Sequence, residues 1–424
     1  MPHPLNRYGL FLLLLLLGAC RRDYDVRLPS TEWAEFSAPD ALRLPGPAAA
    51  RMEGVYACTG GAENFGSGAV LKWSYDASAT DTTIYVSLFC EKDVSWIVCE
   101  GKRRDSTILL NGFWRKMAGT ATGRVRLTVT APNGGAFVLG GAPAPELLIE
   151  GVYGDGEAVP DRPLRFSRTR ALAPARALEV VVHRGGGQSA DLLPASENSL
   201  EILPWAARFG ATGVEIDVRR TSDGVLVLYH DATLNERLIQ KNGLVGPIEN
   251  YSFAQLNTLV RLVRNGERIP TLRAALETIV TRTPLRFVWL DTKFDAPLDE
   301  LRALQAEFMQ RAAALGKPLE IVIGIPDEGV LGRFRALPDH RNVPSLVELE
   351  AGDAESVNAR IWAPRWTLGL QNAGAAAVQA QGRRAFVWTL DLPENIDLFL
   401  RQGRFDGILS NYPTAVAYAY YTQP

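Results

Sequence analysis

Two carboxylates stand two residues apart in the stretch "GVEIDV", where Glu215 and Asp217 alternate with apolar residues. In a strand, the side chains at i and i+2 point to the same face, so both acids would face one way. Neighbouring buried carboxylates repel unless a cation compensates them, and hard divalent ions such as Mg²⁺ or Ca²⁺ prefer oxygen ligands. The pair therefore predicts a divalent metal site. The alternatives are solvent-facing acids or ion-pair partners for the two arginines that follow.

Two histidines follow apolar runs, His183 after "LEVVV" and His230 after "VLVLY". Imidazole titrates near neutrality, so two histidines in one site can act as general acid and general base. Core histidines and zinc ligands are the alternatives. Zinc is the weaker of these, because no cysteine lies nearby and carboxylates dominate the cluster. His340, in the polar stretch "LPDHRNV", is interpreted as a surface residue.

Positive charge accompanies these residues at Arg184 and at Lys293, the latter in "FVWLDTK" beside Asp291. The planar fork of arginine fits phosphate oxygens, and lysine acts as a point charge. An ion pair with a nearby acid is the alternative role for Lys293. The glycines at 185–187 let the backbone approach a ligand closely, but they lack the spacing of a phosphate-binding loop. Acids, histidines and cations together indicate an anionic substrate.

The elements that must position these residues begin at residue 178, where apolar strands start to alternate with helical stretches up to residue 424. This alternation predicts a closed (β/α)8 barrel, or TIM barrel, in which the carboxyl ends of the strands converge on one face. Only "TSDG" separates "GVEIDVRR" from "VLVLYHD". Four residues are too few for a helical crossover and are typical of a hairpin, so the barrel is predicted to be distorted there.

Residues 52–170 contain short runs rich in Val, Thr, Tyr and Ile, broken by turn residues. They predict a smaller all-β domain, either a sandwich or a barrel, whose role and protein partner the sequence does not indicate. Cys58, Cys90 and Cys99 fall within it. A disulfide between Cys90 and Cys99 is the preferred prediction, because "LFCEKDVSWIVCE" resembles two strands around a polar turn. Three reduced thiols are the alternative.

The chain begins "MPHPLNRYGLFLLLLLLGAC", with Arg7 before an apolar run and small residues before Cys20. This pattern predicts an export signal over residues 1–20, since the run is roughly half of the ~20 residues that a spanning helix needs. "LGAC" resembles a bacterial lipobox, in which Cys20 is lipidated. We therefore expect an exported lipoprotein of the periplasm or cell envelope, anchored to a membrane through residues 21–51 as a tether. An ordinary secretory signal is the alternative.

Composition narrows the range of partners. The 424 residues are 47% apolar and 22% charged, with a formal net charge of -2. A nucleic-acid binder needs a concentrated cationic face, which this balance and the absence of a long basic run argue against. Nucleic acid is therefore excluded as an expected partner.

Six motifs occur in an order that resembles the glycerophosphodiester phosphodiesterase family over about residues 178–418. They are "HRGGG…SENS", "GVEIDVRRTSDGVLVLYHDATL", "ERIPTLRAAL", "LDTK", "VWTLD" and "FDGILSNYP". The resemblance implies a distorted TIM barrel that hydrolyses glycerophosphodiesters to glycerol phosphate and an alcohol with a divalent cation, Mg²⁺ or Ca²⁺. Two other activities stay open: a related barrel that cleaves intact lipid head groups, in the manner of a phospholipase or sphingomyelinase D, and a non-catalytic binding lipoprotein.

Carried over by position, the resemblance implies roles for individual residues. These are His183 and His230 as the acid and base, Arg184 and Lys293 as phosphate ligands, Glu215, Asp217 and Asp291 as metal ligands, and Glu197 as a further site residue. The chain departs from the family pattern at two positions. Asp291 stands where glutamate is usual, which shortens one metal ligand. Asn411 stands where aspartate is common, which we expect to affect packing or hydrogen bonding around the site.

Overall fold

The structure is a computed structural model, and it describes residues 28–116, 119–141, 146–174, 176–188 and 193–423. The predicted export signal, Cys20 and the first part of the predicted tether lie outside these residues. The described chain forms two closed sheets, an N-terminal antiparallel one and a C-terminal parallel one. No helix among the described residues has both the length and the apolar character needed to cross a membrane.

The N-terminal domain is an eight-stranded antiparallel barrel in which each strand pairs with the next and the last pairs with the first. Its strands are β2 (Gly54–Gly60), β3 (Gly68–Ala77), β4 (Thr82–Cys90), β5 (Trp96–Arg104), β6 (Thr107–Arg115), β7 (Thr122–Val129), β8 (Leu148–Tyr153) and β9 (Arg162–Arg170), with β1 (Leu42–Arg43) paired to β5. Short helices are α1 (Gly46–Met52), α2 (Ala62–Phe65) and α3 (Ala136–Val138). The predicted all-β domain is confirmed, as a barrel.

Side chains fill the interior of this barrel. Tyr56, Phe65 and Trp114 are buried in one apolar cluster, and the ring of Phe65 packs edge-on against Trp114 with centroids 5.7 Å apart. Helix α1 adds Met52, which is fully buried. Because side chains fill its interior, this barrel encloses a packed core and not a ligand pocket. The linker predicted over residues 21–51 therefore overlaps this domain, because the apolar residues of α1 anchor residues 42–52 in it.

The strand register separates the cysteines that were predicted to form a disulfide. Cys99 on β5 lies opposite Val86 on β4, while the Cys90 amide, four residues further along β4, donates to the Ser95 carbonyl. At about 3.4 Å per residue, the two cysteines are on the order of 13 Å apart along the strands, beyond the reach of a disulfide. Cys58, Cys90 and Cys99 are all free and buried. The disulfide prediction is therefore wrong, because the turn that joins β4 and β5 is offset from the cysteines.

The C-terminal domain is a closed barrel of eight parallel strands. They are β10 (Glu179–Val182), β11 (Gly213–Arg220), β15 (Phe287–Thr292), β16 (Glu320–Ile325), β17 (Ser345–Val347), β18 (Ile361–Trp362), β19 (Arg384–Val387) and β20 (Gly407–Ser410). Helices follow the strands in turn: α4 (Leu203–Arg208), α6 (Leu272–Arg282), α7 (Asp299–Ala314), α8 (Glu328–Arg335), α9 (Ala351–Ser356), α10 (Asn372–Ala380), α11 (Pro393–Gln402) and α12 (Pro413–Thr422). The predicted (β/α)8 barrel is confirmed.

The predicted distortion is also present. After β11, the chain turns into β12 (Leu226–Leu228), which pairs antiparallel with the end of β11. The insertion continues through β13 (Thr233–Leu234), β14 (Gly246–Pro247) and α5 (Phe253–Leu259) before α6 restores the regular pattern. Apolar residues of the insertion, among them Tyr229, Leu238 and Leu256, form a separate buried cluster.

The two domains pack against each other through aromatic rings and ion pairs. Trp96 of the β barrel meets Phe209 of the parallel barrel edge-on, with centroids 5.2 Å apart. Asp76 on β3 binds two arginines of the parallel barrel, Arg208 at 3.0 Å and Arg282 at 3.0 Å. The Arg208 guanidinium also stacks 3.7 Å above the Tyr85 ring. These contacts join the β barrel to the helices of the parallel barrel.

Candidate active site

Inward-facing residues at the carboxyl ends of the strands form the candidate site. Register aligns Glu215 on β11 with Trp289 on β15, and Asp217 with Asp291. Alternate residues of a strand share a face, so the buried interior position Trp289 places Asp291 and then Lys293 on the inner side of the barrel. The three carboxylates of Glu215, Asp217 and Asp291 each offer an oxygen within 4.8 Å of the others. The barrel therefore brings together the acids that the sequence predicted.

Each of these carboxylates has one oxygen that accepts no hydrogen bond from the protein. Glu215 Oε1 and Asp291 Oδ1 are buried without a hydrogen-bond partner. Asp217 Oδ1 also lacks a hydrogen bond, although the Lys293 ammonium lies 3.3 Å away. Burial and the charges of Asp217 and Asp291 raise the pKa of Glu215. Clustered carboxylate oxygens without donors suit a hard divalent cation, so the residues present fit such an ion.

Lys293 compensates part of this negative charge. Its Nζ lies 2.6 Å from Asp291 Oδ2 and 3.3 Å from Asp217 Oδ1. Burial would lower the pKa of Lys293, but the two carboxylates outweigh it and raise the pKa above its ordinary value. The ion pair that was the alternative role for Lys293 is therefore present, and phosphate binding by Lys293 stays a prediction.

His183 follows β10 and is oriented by Asn411. Its Nδ1 lies 2.9 Å from Asn411 Oδ1. The Asn411 amide group donates through Nδ2 to Asp391 at 2.7 Å, which fixes its oxygen toward the histidine. Nδ1 of His183 therefore carries the proton, and Nε2 faces Glu215 Oε2 at 3.8 Å. Burial and the adjacent Arg184 charge lower the pKa of His183 to about 4, so the ring is neutral at neutral pH.

His230 reaches the same site by a different route. It follows β12, whose antiparallel direction carries the chain back so that the Tyr229 amide donates to the Asp217 carbonyl. Its Nδ1 lies 2.6 Å from Asp231 Oδ1. Its Nε2 lies 2.8 Å from Arg184 Nη2, and because arginine can only donate, Nε2 is the acceptor. Both histidines therefore direct an Nε2 lone pair into the site.

Arg184 is held in place by three different partners. Its backbone amide donates to Glu215 Oε2 at 2.7 Å, and its Nη1 donates to Glu197 Oε1 at 3.1 Å. Asn198, the residue after Glu197, donates to Asp217 at 2.6 Å. Glu197 thus lies beside the site and positions the arginine, while Asn198 positions Asp217, one of the three clustered acids.

The glycines after Arg184 let the loop pack closely against a neighbouring segment. A Cβ atom on Gly186 would lie 2.2 Å from the Ile202 side chain. Gly185 has a φ of +84°, a left-handed conformation that favours glycine. The loop can therefore press against the segment that carries Glu197 and Asn198.

His340 lies apart from the site, with Nδ1 3.1 Å from the Leu337 carbonyl.

Sequence reasoning missed four residues of the site. Glu348, Arg365 and Trp388 line the same cavity of about 440 Å³ as His183 and His230. Each follows a short strand at an inward position. No motif marks Glu348 or Arg365, and Trp388 lies within "VWTLD" but was given no role from the sequence. Burial and the Asp291 charge raise the pKa of Glu348 well above its ordinary value. The fourth is Arg237, which contacts both Glu197 and Asp231. Its spacing from "HD" within "HDATLNER" was the one signal available.

A (β/α)8 barrel with acids, histidines and cations at the carboxyl ends of its strands is the class of protein that this fold and site define. The model of the Glycerophosphoryl diester phosphodiesterase family matches residues 183–415, more than half of the chain. The chain therefore belongs to the glycerophosphoryl diester phosphodiesterase family. The match covers the parallel barrel and leaves the β-barrel domain outside.

Individual relatives match parts of the chain. Glycerophosphodiester phosphodiesterase 1 of Rattus norvegicus is 34% identical over 158 residues, which are 36% of this chain and 45% of the rat protein. A glycerophosphodiester phosphodiesterase of Caldanaerobacter subterraneus subsp. tengcongensis is 23% identical over 239 residues, 55% of this chain and 94% of the relative. A glycerophosphodiester phosphodiesterase structure from Agrobacterium tumefaciens aligns with a TM-score of 0.45 and 19% identity, over 57% of this chain and 99% of that one. The chain thus spans less than half of the rat relative's length.

Proposed function

We propose that the protein hydrolyses glycerophosphodiesters to glycerol phosphate and an alcohol. The observation that carries the proposal is that two histidine Nε2 atoms and two cations lie together with three clustered carboxylates. These carboxylates, Glu215, Asp217 and Asp291, are called the acidic trio below. Family membership and the names of the relatives support the same substrate class. His183 and His230 are the proposed acid and base, since each is oriented by a partner on Nδ1 and presents Nε2 to the cavity.

Each residue has a stated part in the proposed reaction. One histidine accepts at Nε2 the proton of the glycerol hydroxyl that attacks phosphorus, and the other, which must be protonated at Nε2 for this step, donates that proton to the leaving alcohol. Water then opens the resulting cyclic phosphate with the two roles exchanged. Arg184 and Lys293 bind the phosphate oxygens and stabilise the charge that develops on them. Glu215, Asp217 and Asp291 are the proposed ligands of a divalent cation, Mg²⁺ or Ca²⁺, which when bound would supply Lewis-acid stabilisation of charge on oxygen.

The test is a screen of metals against substrates with the purified full chain. After treatment with a chelator, Mg²⁺, Ca²⁺ or Mn²⁺ is returned together with glycerophosphocholine, glycerophosphoethanolamine, lysophospholipid or sphingomyelin. We expect release of glycerol phosphate from the glycerophosphodiesters, and its loss in His230→Ala with the fold retained. Absence of glycerol phosphate with every metal and substrate, or full turnover by the variant, would contradict the proposal.

The rival activity on intact lipids needs an apolar rim at the mouth of the barrel. Two apolar segments could supply such a rim, residues 362–370 and residues 415–423. Ala417 in the second segment packs in the interface with the β domain, whereas Leu368 in the first is 60% exposed. The substrate screen therefore decides between a soluble diester and an intact lipid.

The location of the protein is a separate proposal, supported by the sequence of residues 1–20 alone. An exported lipoprotein anchored through Cys20 would act in the cell envelope on diesters released from membrane lipids. Cys20→Ser should move the protein from the membrane fraction to the soluble one. Equal membrane retention of the variant would contradict lipid anchoring at this residue.

A further inference from the structure

Glu348 is a half-buried residue of the cavity, and the proposed reaction leaves its carboxylate unused. It directly follows β17, and its amide donates to the Ile325 carbonyl at 3.1 Å. It stands two residues beyond Leu346, a buried residue of the barrel interior, so its side chain points inward at the carboxyl end of the barrel. Its Oε1 is buried without a hydrogen-bond partner. Among the described side chains, none forms an ion pair with it.

Two cations line the same cavity, Lys293 and Arg365, and their charges act on Glu348 to lower its pKa against the effect of burial. Neither forms a direct ion pair with it, because Lys293 binds Asp291 and Asp217 and Arg365 lies over the Trp388 ring, 5.5 Å from its centroid. Oε1 of Glu348 is therefore left without a direct partner, which a donor group of a ligand in the cavity would supply.

The surroundings of Glu348 suit an organic cation better than a second metal ion. Hard metal ions bind several oxygen ligands, and Glu348 is outside the group of carboxylates that lie within 4.8 Å of one another. The cavity wall beside it is apolar and aromatic, formed by Pro326, Leu349 and Trp388. A carboxylate beside an aromatic and apolar wall can bind an ammonium group, while the wall contacts the methyl or methylene carbons of that group.

Glu348 and the apolar wall beside it lie on a different side of the barrel from the proposed catalytic residues. The histidines and the proposed phosphate-binding cations follow β10, β12 and β15, whereas Glu348 and Trp388 follow β17 and β19 on another part of the barrel wall. A phosphodiester held between the histidines has two alcohol substituents, and one of them must extend away from the acidic trio. We propose that Glu348 binds the positively charged amino group of the substrate's alcohol, so that the site prefers glycerophosphodiesters of amino alcohols. This inference rests on the proposed function.

The first experiment compares two substrates and two variants of the full chain. The ratio of kcat/KM for glycerophosphocholine to kcat/KM for glycerophosphoglycerol should exceed one in the native protein. In Glu348→Gln, which keeps the shape and removes the charge, this ratio should fall by about tenfold. The control is Asp295→Asn, an acid two residues beyond Lys293 whose side chain is 93% exposed; it should leave the ratio within about twofold, as expected for a screened surface charge. An equal ratio in native protein and Glu348→Gln would overturn the inference.

A second experiment needs no variant at Glu348. Choline and its neutral isostere 3,3-dimethylbutan-1-ol are compared as inhibitors of glycerophosphoglycerol hydrolysis by the native protein. Because only choline carries the charge, it should inhibit at a concentration about tenfold lower. Equal inhibition by the two compounds would contradict binding of an ammonium at a carboxylate.

A binding measurement separates this inference from the proposed function. Calorimetry with His230→Ala should show tighter binding of glycerophosphocholine than of glycerophosphoglycerol, and Glu348→Gln in the same background should abolish the difference. If the native protein hydrolyses neither diester while the binding preference is present, the proposed function is wrong and Glu348 recognises an amino-alcohol diester as a ligand instead of a substrate. Hydrolysis of both diesters without any binding preference would overturn the inference alone.

Discussion

The Arg237 guanidinium holds both oxygens of the Glu197 carboxylate, with Nη1 3.0 Å from Oε2 and Nη2 3.1 Å from Oε1. The Glu197 side chain is 1% exposed and also accepts a hydrogen bond from Arg184. Arg237 donates as well to Asp231, the partner of His230 Nδ1, from Nε at 3.0 Å. One side chain from the insertion therefore fixes the supports of two proposed site residues.

Arg237→Ala should lower kcat by about 10-fold to 100-fold, because both carboxylates lose the charge that orients them. Burial would raise the pKa of Asp231, but hydrogen bonds from Arg237 and His230 outweigh it and keep the pKa low. Steady-state kinetics measure the loss, and circular dichroism checks the fold. Because the Arg237 side chain is 37% exposed, millimolar guanidinium should restore part of the activity. Unchanged kcat, or a loss with no rescue in a folded variant, would contradict the positioning role.

Asn411→Leu should lower kcat/KM by about 100-fold while the substrate still binds, since His183 loses the acceptor that fixes its tautomer. The hydrogen bonds involved are those from His183 Nδ1 to Asn411 and from Asn411 Nδ2 to Asp391. A matched control is Asn372→Leu, at the start of α10, where the amide donates to the Gln402 carbonyl at 2.8 Å. Equal activity of the two variants would show that the orientation of His183 does not matter.

Removal of the divalent cation should abolish hydrolysis and return of the ion should restore it. Asp291→Asn should weaken metal binding by about 10-fold to 100-fold, because one charged ligand of the trio is lost. Asp291→Glu restores the residue that the family resemblance leads one to expect and should bind the ion at least as tightly as the native chain. Calorimetric titration of the chelator-treated protein measures both affinities. Equal affinity of the native protein and Asp291→Asn would exclude Asp291 as a ligand.

Sequence patterns predicted the parts of this fold that repeat or that carry charge. Short runs of β-forming residues broken by turns predicted the all-β domain without deciding between a sandwich and a barrel. The strand-helix series predicted the parallel barrel, and the short "TSDG" link predicted the hairpin after β11. The acids and histidines of the site could be predicted because charged and titratable residues have few purely structural roles at the ends of apolar strands. Glu348 and Arg365 were missed, since β17 and β18 are only three and two residues long and show no alternation to read.

The disulfide prediction failed for a related reason. A pair of strands around a turn fixes the register only through the turn geometry, and here the 3-10 turn at Lys92–Val94 offsets Cys90 from Cys99. Arg237 shows a second limit: its role depends on Glu197, forty residues earlier in the chain, and on how the insertion folds back.

The three cysteines should behave as buried thiols. Burial raises the pKa of Cys58 to about 11 and also raises the pKa values of Cys90 and Cys99, so the reactive thiolate is scarce at pH 8. A thiol reagent such as Ellman's reagent should react slowly with native protein in which Cys20 is replaced by Ser. The same variant in denaturant without reductant should show three thiols. One thiol in that measurement would indicate a disulfide.

Asp76→Ala should weaken the junction of the two domains. The Asp76 side chain is 18% exposed and binds Arg208 and Arg282, of which Arg208 is 7% exposed, so the variant leaves a buried guanidinium without its carboxylate. We expect the free energy of unfolding to fall by about 2 kcal/mol, less than for a fully buried pair because Arg282 is partly hydrated. Denaturant titration followed by the fluorescence of interface tryptophans measures the change. Asp81→Ala, a partner of Arg43 with a side chain 57% exposed, should change the stability by less than about 0.5 kcal/mol. Equal effects of the two variants would show that the Asp76 contacts do not couple the domains.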